Sequence, residues 1–468
     1  MNESAPVRNN PAQGFIARAL ASLNRHPLLW IGALAAIGLI LRLLLALNAP
    51  FPFGYIHDFY HRGVMLLYTT GKIPGSDDCM QCYHPPLLFI LGQPFLWLGM
   101  LLTGGRHHQA LKYVCLLPML CGLLTMVYAY RILRLLKYRG SDLVLAMALA
   151  LVFPCLFISS WGIESDILLT AIMTVFLYAL IRYDRHPGRA GWKQALWLGA
   201  LCGLAMAAKF QGLIALWVTG MLLGVHLGFR STRRRTLLHG GLILLVACAL
   251  GGWKYYDNYQ KYGTPLYTQT IAKDGFAVSD RQFHWGYYDL VHLRLGETLA
   301  LMAPDAPPGD LDKFPVYQSV PTVLHATAWS DMSFFSEPSR HGAPEPMYPG
   351  RGVPVALVGA VLVLALLPNA LAIVGFFATA RRRVYLPVTL FVLATVGIYA
   401  FWLVSQIDWS LKSKYVLFLL TPYLVYVIVG FRWISRHSPR AVRWIVGVLL
   451  ILLIALTHVY LYRFAIGA

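Results

Sequence analysis

The sequence predicts an all-α polytopic membrane protein, and three features of it do so. The chain is 58% hydrophobic and only 13% charged. Its apolar runs repeatedly exceed the roughly 18 to 20 residues that a helix needs to cross a hydrocarbon core. Its basic residues, which give a formal charge of +19, stand in short clusters between those runs, the arrangement expected of loops kept on the cytoplasmic side. Topology therefore accounts for the charge, and no nucleic-acid partner is expected.

Residues 1–27 carry Arg8, Arg18 and Arg25 and precede the first long apolar run, so they read as a cytoplasmic start to an uncleaved span. Within them, "GFIARALASLNRHPLLW" alternates apolar and basic residues at helical spacing, which suits an interfacial helix or a frayed tail. Spans are expected near 28–49, 111–133, 141–160, 165–182, 193–209, 211–228, 237–253, 353–379, 384–404, 413–430 and 444–463, which makes about eleven. The clusters at Arg131–Arg139, Arg182–Lys193, "RSTRRR", "RRR" at 381–383 and Arg432–Arg443 then all face the cytoplasm. One more apolar stretch, "PPLLFILGQPFLWLGMLLTGG", would invert every later cluster if it crossed fully. Pro85, Pro86, Gly92 and Pro94 interrupt it, so it is assigned to the interface or to a re-entrant turn.

This threading divides the chain into a membrane module at 28–253 with a first outer loop at 50–110, an outer cap at 254–352, and C-terminal helices at 353–468. The cap is about a fifth of the chain, rich in Tyr, Trp, Pro and Asp and too polar to insert. No inverted repeat of the transporter kind and no low-complexity tract is evident.

Most of the acids fall on the outer side. Asp58 directly follows the first span, flanked by His57 and His61, and with Asp77, Asp78 and His84 the same loop offers oxygen and nitrogen donors for a divalent cation, though the spacing alone is a weak metal signal. Of the seven cysteines, Cys115, Cys121, Cys155, Cys202 and Cys248 read as small apolar residues. Cys79 and Cys82 form a Cys-x-x-Cys, either a disulfide in an extracytoplasmic loop or half of a zinc site; the disulfide is favoured because no second pair stands nearby. Glu164 and Asp166 in "SSWGIESDILL" and Lys209 in "GLAMAAKFQGL" sit at outer boundaries, where ionisable groups are functional, paired, capping or snorkelling. Lys412 and Lys414 lie on the side where basic residues are disfavoured; a lipid phosphate would account for both, and Asp408 could neutralise one. Arg42, inside the first span, is expected to snorkel outward or pair with a loop acid, beside Asp58 in either case. Trp285, Tyr287, Tyr288 and Trp329 could stack on a sugar ring, with cap packing and an interfacial aromatic belt as the simpler roles.

The order "HDFYHRGVMLLYTTGKIP", "YHPPL", "WGIESDILLTAIMTVFLYALIRY", "LGALCGLAMAAKFQGL", "WKYYDNYQKYGTPLY" and "SKYVLFLLTPYLV" resembles the GT-C superfamily of integral membrane glycosyltransferases, especially protein O-mannosyltransferases and the lipid A aminoarabinose transferase. The resemblance runs in scattered pieces over about half of the chain, and the first-loop aspartate with Tyr-His-Pro-Pro-Leu is its most specific part. It implies a GT-C-like bundle with interfacial helices in the first outer loop and a larger outer cap. It also implies a polyprenyl-phosphate-linked sugar donor, a lipid, glycan or protein acceptor, inversion at the anomeric carbon, and an active site facing the periplasm or exterior of a plasma (bacterial inner) membrane. The family's catalytic aspartate then falls on Asp58 and its histidine on His61. The outer acid falls on Asp166 or Glu164, the interfacial lysine on Lys209, and the late phosphate-contacting residue on Lys414 or Lys412. One departure stands out: many members have a second acid after the aspartate, where this chain has Phe59, which leaves a metal role for an acidic pair open. The chemistry of the residues agrees, since one carboxylate suffices to take an acceptor's proton and cations suffice to stabilise a leaving phosphate. A transporter would scatter ionisable groups deep in several spans, and a flippase or lipid-binding partner would not need Asp58; these are the alternatives.

Overall fold

The computed structural model describes residues 22–48, 60–79, 81–185, 191–229, 233–267, 292–293, 319–330, 353–405 and 413–467. Among these every regular element is helical. Among the described residues, nine helical stretches are long and apolar enough to cross a membrane.

The chain opens with α1 (Pro27–Asn48), followed by the short α2 (Tyr60–Thr70), α3 (Leu87–Leu102), α4 (His107–Val114) and α5 (Leu116–Leu135). Pro85 and Pro86 delay the start of α3, and Pro94 lies inside it. At 1.5 Å per residue its 16 residues reach about 24 Å, short of a full hydrocarbon core. The stretch expected as one span over 141–160 is broken into α6 (Gly140–Val152) and α7 (Pro154–Ser159). The cause is local: Pro154 cannot donate to the helix and holds Phe153 in an extended conformation.

Next come α8 (Ser165–Arg185) and α9 (Trp192–Ala208), a 3₁₀ turn (Phe210–Gly212), α10 (Leu213–Leu227) and α11 (Arg233–Ala247). A π-turn at Cys248–Gly252, on a Gly-Gly pair, carries α11 on into α12 (Trp253–Tyr262). The helix thus runs nine residues past the boundary expected at 253, until Gly263, with φ 71°, closes it in a left-handed cap. Within residues 254–352, the segment expected as an outer cap, α13 (Val320–Trp329) follows, N-capped by Ser319. Then α14 (Val355–Thr379), α15 (Leu386–Ser405), a 3₁₀ segment (Ser413–Leu419), α16 (Leu420–His437) and α17 (Arg440–Gly467) complete the bundle.

At the centre lies α8, the most enclosed of the long helices, packed by α5, α9, α15 and the 413–419 segment. Each of its two ends carries a polar cluster. One holds Asp166; about 27 Å away at the other, Asp184 accepts from the buried His226 at 2.8 Å. α14 and α16 cross backbone to backbone, with Gly375 against the Tyr426 carbonyl and Gly430 against that of Leu371. Small residues of this kind let helices approach closely in a medium without a hydrophobic driving force.

Candidate functional site

The site is built on the first turn of α8. Gly162 and Ile163 carry the chain from α7 into Glu164, and Ser165 starts the helix with Asp166 in its first turn, where a carboxylate suits the helix dipole. Lys209 ends α9 in an extended conformation, and the 3₁₀ turn behind it brings Gly212 so close to the Ala205 carbonyl that a Cβ has no room. Lys209 Nζ then donates to Asp166 Oδ1 at 2.6 Å, with both side chains 3% exposed or less. From the opposite wall, Lys414 Nζ reaches Glu164 Oε1 at 3.2 Å, again with both groups enclosed. Two buried ion pairs therefore stand side by side on residues 164 and 166.

Tyr415 joins them. Its ring centroid lies 4.6 Å from Lys209 Nζ and 5.7 Å from Lys414 Nζ, so both ammonium groups share one aromatic ring. Asp166 Oδ2 is enclosed and, among the described residues, accepts no hydrogen bond. Such burial makes each pair costly to break, because a lone charge left behind has no solvent to turn to. Lys209 does not snorkel to a surface; it faces inward, to Asp166.

An aromatic wall borders the pairs. Ser165 Oγ donates to Tyr60 Oη at 2.7 Å, and Tyr60 stacks on His84 at 5.7 Å. His84 is also flanked by Tyr83 at 4.0 Å and Phe210 at 5.9 Å. Burial, with Arg62 and His108 nearby, holds the His61 imidazole below its ordinary range.

The rest of the first loop is tied to α12. Tyr262 and Tyr267 both donate to Asp77, at 2.5 and 3.0 Å. Asp78 accepts from the Gly75 N–H at 2.6 Å. Lys254 donates to Ser76 at 2.9 Å, and Ser76 to Asn258 at 3.1 Å. Cys79 and Cys82 are bonded to each other as a disulfide. Asp77 and Asp78 thus brace the loop, and among the described residues no three His, Cys, Asp or Glu side chains gather into a set that could hold a metal ion.

The Asp58 expected beside Arg42 lies outside the described residues, but Arg42 itself is described. It is buried, its guanidinium donates back one turn to the Gly38 carbonyl at 3.1 Å and lies 5.0 Å from the Phe157 ring, and among the described residues no acid pairs with it. Asp58, Lys412 and Asp408, with Trp285, Tyr287 and Tyr288, lie outside the described residues. Trp329 is interior and packs edge-on against Phe153 at 5.1 Å. Sequence reading missed Tyr415, Tyr60 and Ser165; the only available signal for Tyr415 was an aromatic residue beside an anomalous lysine.

The architecture can be set beside known proteins. A crystal structure of the Archaeoglobus fulgidus oligosaccharyltransferase, in complex with Zn and sulfate, superposes on 93% of this chain with a TM-score of 0.51 at 16% identity. This is a GT-C fold. The match establishes the fold alone, and the chain covers 53% of that protein, so it spans about half its length. Residues 84–253, just over a third of the chain, match the family model described as dolichyl-phosphate-mannose-protein mannosyltransferase. That region holds Glu164, Asp166 and Lys209. Apo ArnT from Cupriavidus metallidurans overlaps less well, with a TM-score of 0.40 at 15% identity over 87% of this chain and 78% of ArnT. No curated protein matches the sequence.

Proposed function

We propose that the chain is an inverting glycosyltransferase that moves a sugar from a polyprenyl-phosphate donor to a lipid, glycan or protein acceptor at the extracytoplasmic face of the membrane. The observation that carries this reading is the convergence of Lys209 and Lys414 on the Tyr415 ring, beside the first turn of α8. Buried cations at one end of a membrane bundle fit an anion presented from the bilayer better than a soluble one. An ammonium has three N–H donors, so its carboxylate partner does not exhaust Lys209. Glu164 and Asp166 keep the lysines in place until the donor phosphate arrives. One turn beyond Lys209, a shallow apolar groove of about 420 Å³ on α10, lined by Leu213, Leu216, Trp217, Gly220 and Met221, suits a prenyl tail.

In this reading the acceptor hydroxyl attacks the anomeric carbon from the face opposite the phosphate. The new C–O bond forms as the C–O bond to phosphate breaks, and the acceptor proton passes to Asp58. The leaving prenyl phosphate gains negative charge, which Lys209, with Lys414 or Lys412, stabilises. Asp58 precedes Tyr60 by two residues in the sequence, and Tyr60 is bonded to Ser165 in the same turn as Asp166. The family match over residues 84–253 supports the same class of reaction.

The test is sugar transfer from a panel of synthetic prenyl-phosphate sugars by the full chain in nanodiscs. Asp58→Asn should abolish product while prenyl-phosphate binding persists, and Lys209→Met should weaken that binding. A flippase or lipid-binding partner would retain its function as Asp58→Asn, and that result rejects the enzyme reading.

A further inference from the structure

Lys414 stands on a 3₁₀ segment that does not support itself. Residues 413–419 are interrupted at Val416, whose φ of −121° is not helical, and the N–H groups that open any such turn lack partners within it. The partner comes from far away in the chain. Ser413 N–H donates to Thr327 Oγ1 at 2.9 Å, from a residue 86 positions earlier. The two hydroxyls also meet at 2.9 Å, and Ser413 Oγ donates to the Leu324 carbonyl. Each hydroxyl has one proton, so the Thr327 proton goes to Ser413 Oγ or to the Val323 carbonyl 2.7 Å away, and its oxygen accepts in either case.

The helix that supplies Thr327, α13, is itself fixed. His325 Nε2 lies 3.0 Å from the Leu362 carbonyl. A carbonyl can only accept, so Nε2 carries the hydrogen and Nδ1 must accept from Asn369 Nδ2, at 2.9 Å. Asn369 Oδ1 accepts in turn from Tyr423 at 2.9 Å. Trp329 closes the far end of α13 against Phe153. These ties lead from the cap segment to the residue next to Lys414.

We infer that Thr327 is a positioning residue: through its bond to the Ser413 N–H it caps the 413–419 segment in trans and holds Lys414 and Tyr415 against Glu164 and Lys209. Its effect on donor binding rests on the reading that Lys414 contacts the donor phosphate; its effect on the placement of Lys414 does not. α13 belongs to the cap segment, so the cap and the donor-binding cation are mechanically linked.

The experiment uses the full chain in nanodiscs with two readouts. One is the dissociation constant for undecaprenyl phosphate; the other is the rate at which acetic anhydride modifies Lys414, followed by peptide mass spectrometry. Thr327→Val keeps the side-chain shape and removes the acceptor. It should raise the labelling rate of Lys414 about tenfold and weaken undecaprenyl phosphate binding about tenfold, and Thr327→Ser should restore both. Wild-type labelling in Thr327→Val overturns the inference. If Lys414→Met binds undecaprenyl phosphate as wild type does, the phosphate reading falls while the labelling result still decides the placement. Should Thr327→Val fail to fold, Thr327→Ala, which also removes the acceptor of the Ser413 N–H, is expected to raise labelling in the same direction; wild-type labelling there also overturns it.

Discussion

Replacing Lys209 by Met isolates the energetics on which the site depends. Methionine fills the space of the lysine stem, so little packing is lost, but Asp166 is left as an unpaired carboxylate. The ion pair is 2.6 Å long and its side chains are 3% and 1% exposed. An exposed pair would contribute less than about 1 kcal/mol. For an enclosed pair, loss of one partner strands the other charge and is expected to cost about 3–5 kcal/mol. Adding Asp166→Asn removes the stranded charge, so the double variant should recover most of that loss, giving a strongly non-additive cycle. The assay is denaturant unfolding in micelles, followed by fluorescence of the 13 tryptophans. A loss below about 1 kcal/mol in Lys209→Met, or a double variant no more stable than the single, would refute the claim that the pair is enclosed and interdependent.

Three further outcomes can be checked. Gly375→Ala or Gly430→Ala places a Cβ on a facing backbone carbonyl, so either should separate α14 from α16 and destabilise by about 1–3 kcal/mol in the same unfolding assay. Burial holds the His325 imidazole below its ordinary range, against the opposing pull of the Leu362 carbonyl. The unfolded chain therefore protonates first: stability is full above about pH 6.5 and declines as pH falls through it, and His325→Gln should flatten that decline in unfolding midpoints between pH 7.5 and 5. Alkylation of the denatured chain should modify five cysteines without reductant and all seven after reduction; a Cys79→Ser/Cys82→Ser variant, with only three residues of separation to constrain, should lose no more than about 2 kcal/mol.

The class of the protein was legible in the sequence because a bilayer imposes coarse rules. Apolar length and basic clusters are local properties, so long spans such as α8, α14 and α17 could be read directly. Local breakers gave only part of the detail: Pro85, Pro86 and Pro94 were legible as interrupting the α3 stretch, whereas the break that Pro154 makes between α6 and α7 was missed and 141–160 read as one span. Single anomalous residues were legible too. Glu164, Asp166, Lys209 and Lys414 each stood out as ionisable groups at an apolar boundary.

What those residues touch was decided only by the tertiary structure. Lys209 pairs with Asp166 across 43 positions and Lys414 with Glu164 across 250, and no periodicity encodes such pairings. The same holds for Tyr415 under both lysines, for Thr327 on Ser413, and for Asp77 held by Tyr262 and Tyr267. Hydropathy measures how readily a residue leaves water. Inside the bundle a charge can stay only where another chain segment meets it with the opposite charge or a hydrogen bond, and that meeting is a property of packing.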